Sequence, residues 1–148
     1  MTASPLLLLL TSHLIGDVVI SSHYLAVMKR DARTGQQIAG IGIHCCFHAI
    51  AAGILLYWAG YTPLLGALLV FGQHFVIDLT RCRIEMKVWE PDKAYQTLSS
   101  LITARVNPLK TDKKGFTVWA ILLGADQSLH FSALYVISLI LGKYPILK

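Results

Sequence analysis

Apolar residues in this chain come in long blocks separated by short polar connections. Four blocks approach the ~20 apolar residues that a helix needs to cross a bilayer core: residues 5–28, 38–58, 63–80 and 116–141. Each predicts a spanning helix. Within each block the polar interruptions follow one rule, an ionisable pair spaced i, i+4. The pairs are His13 and Asp17, His44 and His48, His74 and Asp78, and Asp126 and His130. That spacing puts both members on one face of a helix, one turn apart. Four helices with one wet stripe each bury those stripes by turning them toward one another.

The connections are short except one. Residues 29–35 form a charged turn, and the Ala59-Gly60-Tyr61-Thr62-Pro63 stretch is a tight one flanked by Tyr57 and Trp58, aromatics that suit a membrane–water interface. Pro63 suits a helix start, where no N–H partner is needed. Residues 81–115 are the long polar connection. Inside it, 92–106 has apolar residues at helical spacing (Ala94, Tyr95, Leu98, Leu101, Ile102, Val106), which predicts an amphipathic helix ending at Asn107-Pro108. The first block lacks a basic region before its leucines and an evident cleavage site, and its apolar character continues past Asp17. It reads as a retained helix rather than a signal peptide.

Composition agrees with the pattern. Of 148 residues, 55% are hydrophobic and 14% charged, with mean hydropathy +0.58. Typical soluble domains carry about 25% charged residues, so a soluble enzyme and a disordered chain are both disfavoured. The expected fold is all-α, a polytopic membrane bundle of four transmembrane helices in one domain with one cytoplasmic amphipathic segment.

The net charge of +5 sets orientation rather than suggesting nucleic acid. Three basic residues lie in 29–35 (Lys29, Arg30, Arg33) and eight in 81–115 (Arg81, Arg83, Lys87, Lys93, Arg105, Lys110, Lys113, Lys114), against two beyond the last block (Lys143, Lys148). Eleven against two predicts connections 29–35 and 81–115 in the cytoplasm, with both termini outward. The expected partners are the lipid bilayer, anionic lipid through the basic connection, and further copies of the chain. Cys45, Cys46 and Cys82 form no disulfide framework and read as small buried hydrophobes. His23, beside Tyr24, reads as interfacial. Gly16 and Gly124 are candidate positions of close helix approach.

Ionisable residues inside a bilayer cost several kcal/mol each and are by default functional. Counted from the cytoplasmic ends at 1.5 Å per residue, Asp17, His48 and Asp126 lie about 15–16 Å deep and His74 about 9 Å deep. Five histidines and three aspartates, read without a matching buried Lys or Arg, call for positive charge from histidinium or from a divalent cation. Neutral imidazole and carboxylate together ligate zinc, iron or manganese, with zinc favoured. The candidate ligands are His13, Asp17, His44, His48, His74, Asp78, Asp126 and His130. Such a cation activates water for hydrolysis at neutral pH. With no His-Glu-x-x-His motif, and with Glu85 and Glu90 assigned to the connection, the candidate general base is Asp17, Asp78 or Asp126. A metal-dependent intramembrane hydrolase competes here with a proton or ion translocator, and with a non-catalytic accessory whose buried site is structural.

The same residues resemble a family of small bacterial and phage membrane proteins, domain of unknown function 3307. The resemblance rests on His13-Leu14-Ile15-Gly16-Asp17 followed by Lys29-Arg30; on His44-Cys45-Cys46-Phe47-His48; on His74-Phe75-Val76-Ile77-Asp78-Leu79-Thr80-Arg81; and on Asp126-Gln127-Ser128-Leu129-His130. It covers all four blocks. Val18, Ser21 and Arg81 stand where an aromatic, a Gln and a Lys are usual. The resemblance implies a bacterial inner-membrane, multi-pass protein and brings no established activity.

Overall fold

A computed structural model describes residues 3–20, 22–31, 33–88 and 113–144. The described residues are helical, with no strand longer than an isolated bridge residue. α1 spans Pro5–Leu14 and runs into a π-helical segment, Ile15–Ile20; α2 is His23–Met28, α3 Thr34–Trp58, α4 Pro63–Val88 and α5 Lys113–Leu141. Residues 92–106, expected to form an amphipathic helix, lie outside the described residues.

Among the described residues, three helices are long and apolar enough to cross a membrane: Thr34–Trp58, Pro63–Lys87 within α4, and Ala120–Leu141 within α5. The fourth apolar stretch, Pro5–Ile20, is shorter. The first block, expected as one helix over 5–28, is therefore broken. The π segment Ile15–Ile20 widens the helix at Asp17, and α2 restarts after it, with the Ser22 side chain accepting from the Leu25 N–H at 3.2 Å. A π turn carries one residue more than an α turn and is found mostly at functional positions.

Helix ends follow local chemistry. α3 closes on a Schellman arrangement: Gly60 takes φ 82°, its N–H donates to Tyr57 O at 3.1 Å, and the Tyr61 N–H donates to Leu56 O at 2.9 Å. Only glycine adopts that backbone without strain, and Pro63 then opens α4. α4 runs to Val88, eight residues past the expected end at Thr80. The extension is held by ion pairs: Arg81 Nε donates to Glu85 Oε1 at 2.8 Å along the helix, and Arg30 Nε donates to Glu85 Oε2 at 2.6 Å from the turn after α2. Hydropathy marks where the apolar stretch ends, not where the helix ends.

The interior is layered. An apolar plug of Leu9, Ala52, Leu56, Val70, Leu134, Ile137 and Leu141 joins α1, α3, α4 and α5. A smaller cluster, Ile41, Cys45 and Cys82, packs with Phe71, Phe75 and Leu79. Between and beside them lies a polar layer. Outward faces are apolar, with Ile50, Ile54, Leu64, Leu68, Val76, Ile121, Leu129, Val136 and Leu139 exposed. A polar inside and an apolar outside invert the pattern of a water-soluble domain and suit helices that face lipid. Cys45 and Cys82 are buried as expected, but Cys46 is exposed, because neighbouring helical residues point about 100° apart and Cys45 takes the inward face.

Candidate metal centre

All four stripes meet. His13, His44, His48, His74, Asp78, Asp126 and His130 are buried, and Asp17, the most open of the eight, has a side chain only 15% exposed. Imidazoles form a continuous pack. His48 and His74 stack with ring centroids 3.8 Å apart, His74 and His130 lie 4.0 Å apart, and His13 sits 4.9 Å from His130. Three groups of facing ligand atoms arise: Asp17, His44, His48 and His74; His13, His74 and His130; and Asp78, Asp126 and His130.

The tightest geometry is at Asp17. Its Oδ1 lies 3.3 Å from His44 Nε2 and 3.3 Å from His48 Nε2, and the two Nε2 atoms are 3.1 Å apart. Three mutual contacts of this kind cannot all be hydrogen bonds. An imidazole Nε2 is either a donor or an acceptor, so if one Nε2 donates to the other, its hydrogen is unavailable for Oδ1. If both donate to Oδ1, two N–H groups face each other across 3.1 Å. The triangle does fit a cation. Ligand bonds of about 2.0–2.1 Å in a tetrahedral site place neighbouring ligand atoms about 3.3 Å apart. His74, within reach of the same group, has no hydrogen-bond partner at either ring nitrogen. Gly16 backs the triangle: a Cβ there would overlap the His48 ring at Cε1, Nε2 and Nδ1. Gly124, by contrast, faces open space and makes no close approach.

The expected absence of buried Lys and Arg is overturned. Lys29 Nζ meets Asp78 Oδ2 at 2.8 Å, and Arg81 Nη1 meets Asp126 Oδ2 at 2.8 Å. Arg30 pairs with Glu85 at 2.6 Å. Glu85, assigned to the connection, is buried in α4. Long basic side chains flanking the apolar blocks reach inward far enough to pair with carboxylates, and counting charges within the blocks overlooks them. Asp78 and Asp126 each give Oδ2 to a cation and turn Oδ1 toward His130 Nε2, both at 3.6 Å. Among the described residues, Asp17 alone of the three aspartates pairs with imidazoles and with no Lys or Arg.

Gln127 enters the cluster from one residue off the α5 stripe. Its Nε2 donates to Asp17 Oδ2 and Asp126 Oδ2, both at 3.2 Å, and its Oε1 lies 3.2 Å from His13 Nε2. One amide thus ties three residues of two stripes, that of α1 with its π segment and that of α5. Its position beside Asp126, one residue off the stripe, was the available signal. Gln73 Oε1 similarly meets His130 Nδ1 at 3.3 Å. Outside the membrane-length helices, Asp31 accepts from Arg33 N–H, Nε and Nη2, and these bonds hold its carboxyl down at about 2.

A family model described as protein of unknown function (DUF3307) matches residues 6–146. The chain belongs to that family. No curated protein and no solved structure matches it. The DUF3307 match takes in every helix that contributes to the His/Asp cluster, so cluster and fold are one unit in this DUF3307 protein.

Proposed function

We propose that this protein is a four-span membrane protein of the bacterial inner membrane that holds a divalent cation, zinc foremost and iron or manganese next, in its His/Asp cluster, and that the centre is hydrolytic. The observation that carries the reading is the triangle of Asp17 Oδ1, His44 Nε2 and His48 Nε2 with edges of 3.1–3.3 Å, which protons cannot satisfy and a cation can. His74 stands as the further ligand or proton acceptor at the same group. A bound divalent cation would supply an acidified water at neutral pH.

The chain's own residues divide the other tasks. Asp126 Oδ1, buried without a hydrogen-bond partner, is the best placed of the three candidate bases to take a proton. Asp17 is occupied by imidazoles and Gln127. Asp78, with one oxygen on Lys29 as Asp126 has one on Arg81, stands next. Arg81 and Lys29 hold Asp126 and Asp78 in place through 2.8 Å contacts, and Gln127 links Asp17 to Asp126. The apolar plug closes the cluster on the α1 N-terminal side.

Proton translocation is the second reading, favoured by the imidazole pack running from Asp17 to Asp78 and Asp126. The plug counts against it, since a relay needs a wet exit on both sides. Elemental analysis of protein purified in detergent without chelators separates the two. One divalent ion per chain, lost in His48→Ala and His44→Ala with helix content retained, supports the centre. Metal-free protein that refuses added zinc at full helix content contradicts it. A third outcome addresses the accessory reading: loss of folding in single variants with recovery when the whole cluster is made apolar, since a buried polar network replaced whole often loses no stability.

A further inference from the structure

A second convergence lies beside the Asp17 triangle. Asp78 Oδ1 and Asp126 Oδ1 come from different helices, α4 and α5, and each lies 3.6 Å from His130 Nε2. The three ligand atoms are all within 4.8 Å of one another, and their residues are at most 4% exposed. A separation of 3.6 Å is too long for an N–H···O hydrogen bond, which spans about 2.7–3.2 Å. Asp126 Oδ1 has no hydrogen-bond partner. The spacing does match ligand atoms around one ion, since bonds of about 2.2 Å place neighbours about 3.1–3.6 Å apart in octahedral or tetrahedral geometry.

Each of the three side chains is held from behind. Lys29 Nζ donates to Asp78 Oδ2 at 2.8 Å, Arg81 Nη1 donates to Asp126 Oδ2 at 2.8 Å, and Gln73 Oε1 lies 3.3 Å from His130 Nδ1. That amide oxygen only accepts, so the Nδ1 hydrogen points to it, and Nε2 is the ring atom turned to the carboxylates. One atom of each residue is anchored while the other faces a shared point. Outer partners of this kind orient metal ligands, an acceptor on the far ring nitrogen of a histidine and donors on a ligating carboxylate. The donor set differs from that of the triangle. Asp17, His44 and His48 offer one oxygen and two nitrogens, whereas Asp78, Asp126 and His130 offer two oxygens and one nitrogen. Oxygen-rich sets suit manganese and magnesium, and imidazole-rich sets suit zinc. Asp78 Oδ2 also lies 3.8 Å from His44 Nε2, so the two sets adjoin.

We propose that Asp78, Asp126 and His130 form a second, exchangeable divalent-cation site, of manganese(II) class, beside the zinc centre. Its three ligands are not those of the triangle, so the two sites stand or fall separately. Lys29 and Arg81 already oppose the carboxylate charge, which makes this cation the more weakly held of the two. With the site empty, Asp126 Oδ1 keeps its place as proton acceptor; a cation occupies that oxygen instead.

The test uses full-length protein in a neutral detergent, carrying one zinc per chain and titrated with manganese(II). Free manganese is read by electron paramagnetic resonance and retained zinc by elemental analysis. One manganese per chain should bind with the zinc retained. Asp126→Asn should weaken manganese at least tenfold. Gln73→Leu, which replaces no ligand, should weaken manganese about 10- to 100-fold with zinc and helix content unchanged. Gln73→Glu, which restores an acceptor for His130 Nδ1, should recover most of that loss. No manganese uptake, or uptake only in exchange for zinc, overturns the proposal and leaves the zinc centre standing. So does parental manganese affinity in Asp126→Asn or in Gln73→Leu. Protein that refuses zinc yet binds one manganese, lost in Asp126→Asn, overturns the zinc reading and supports this site.

Discussion

Gly16→Ala probes the centre without replacing any candidate ligand. The added methyl would overlap three atoms of the His48 ring, whereas carbon atoms in contact prefer about 3.5–4.0 Å. Relief requires the ring or the π segment to move by about 1 Å, and ligand distances tolerate only about 0.2 Å. Overpacking of this kind costs about 1–3 kcal/mol. If the strain falls on the metal-bound arrangement, affinity drops about 10- to 100-fold, at 1.4 kcal/mol per decade. The assay is zinc competition against a chromophoric chelator in detergent, with helix content by circular dichroism as control. Gly124→Ala is the matched comparison: nothing lies within 4 Å of its added Cβ, so zinc affinity should be unchanged and the helix stabilised by up to about 1 kcal/mol. Parental zinc affinity in Gly16→Ala would refute the placement of His48 against Gly16 as a determinant of the site.

Lys29→Met strands the buried Asp78 carboxylate and should destabilise the protein by about 3–5 kcal/mol, whereas adding Asp78→Asn should return most of that loss, as read by thermal unfolding in detergent. Equal stability of Lys29→Met and parent would mean the pair is not buried. Cys46, exposed on α3, should react with a lipid-soluble maleimide while Cys45 and Cys82 stay protected until unfolding; mass spectrometry of the labelled peptides reads the outcome, and labelling of Cys45 first would reverse the orientation of α3. Reporter fusions at Ser100 and at Lys148 test topology, with a cytoplasm-only reporter expected to be active at the first and silent at the second; activity at Lys148 would contradict four spans.

The i, i+4 pairs were legible because helical periodicity is a local property: once His13 and Asp17 share a helix, they share a face. Convergence of the stripes was legible because helices otherwise apolar bury their polar faces only against one another. Partners separated by long stretches of chain were not. Lys29 and Asp78 are 49 residues apart, and Arg30 and Glu85 are 55 apart, so nothing in either neighbourhood announces the pair. The break after Leu14 was hidden because Ile15–Ile20 is as apolar as a regular helix; only Gly16, hard against His48, shows why the backbone yields there. The continuation of α4 to Val88 was missed because hydropathy falls at Arg81 while helicity does not. The Arg81–Glu85 spacing was the sign that it continues.

The central claim is a cation bound by Asp17, His44 and His48, and anomalous diffraction at the zinc edge from crystals of zinc-loaded protein tests it most directly. The account predicts one anomalous peak per chain within about 2.0–2.2 Å of Asp17 Oδ1, His44 Nε2 and His48 Nε2. A fully occupied peak elsewhere, or zinc-soaked crystals with the 3.1 Å contact between the two Nε2 atoms and no peak between them, would contradict it.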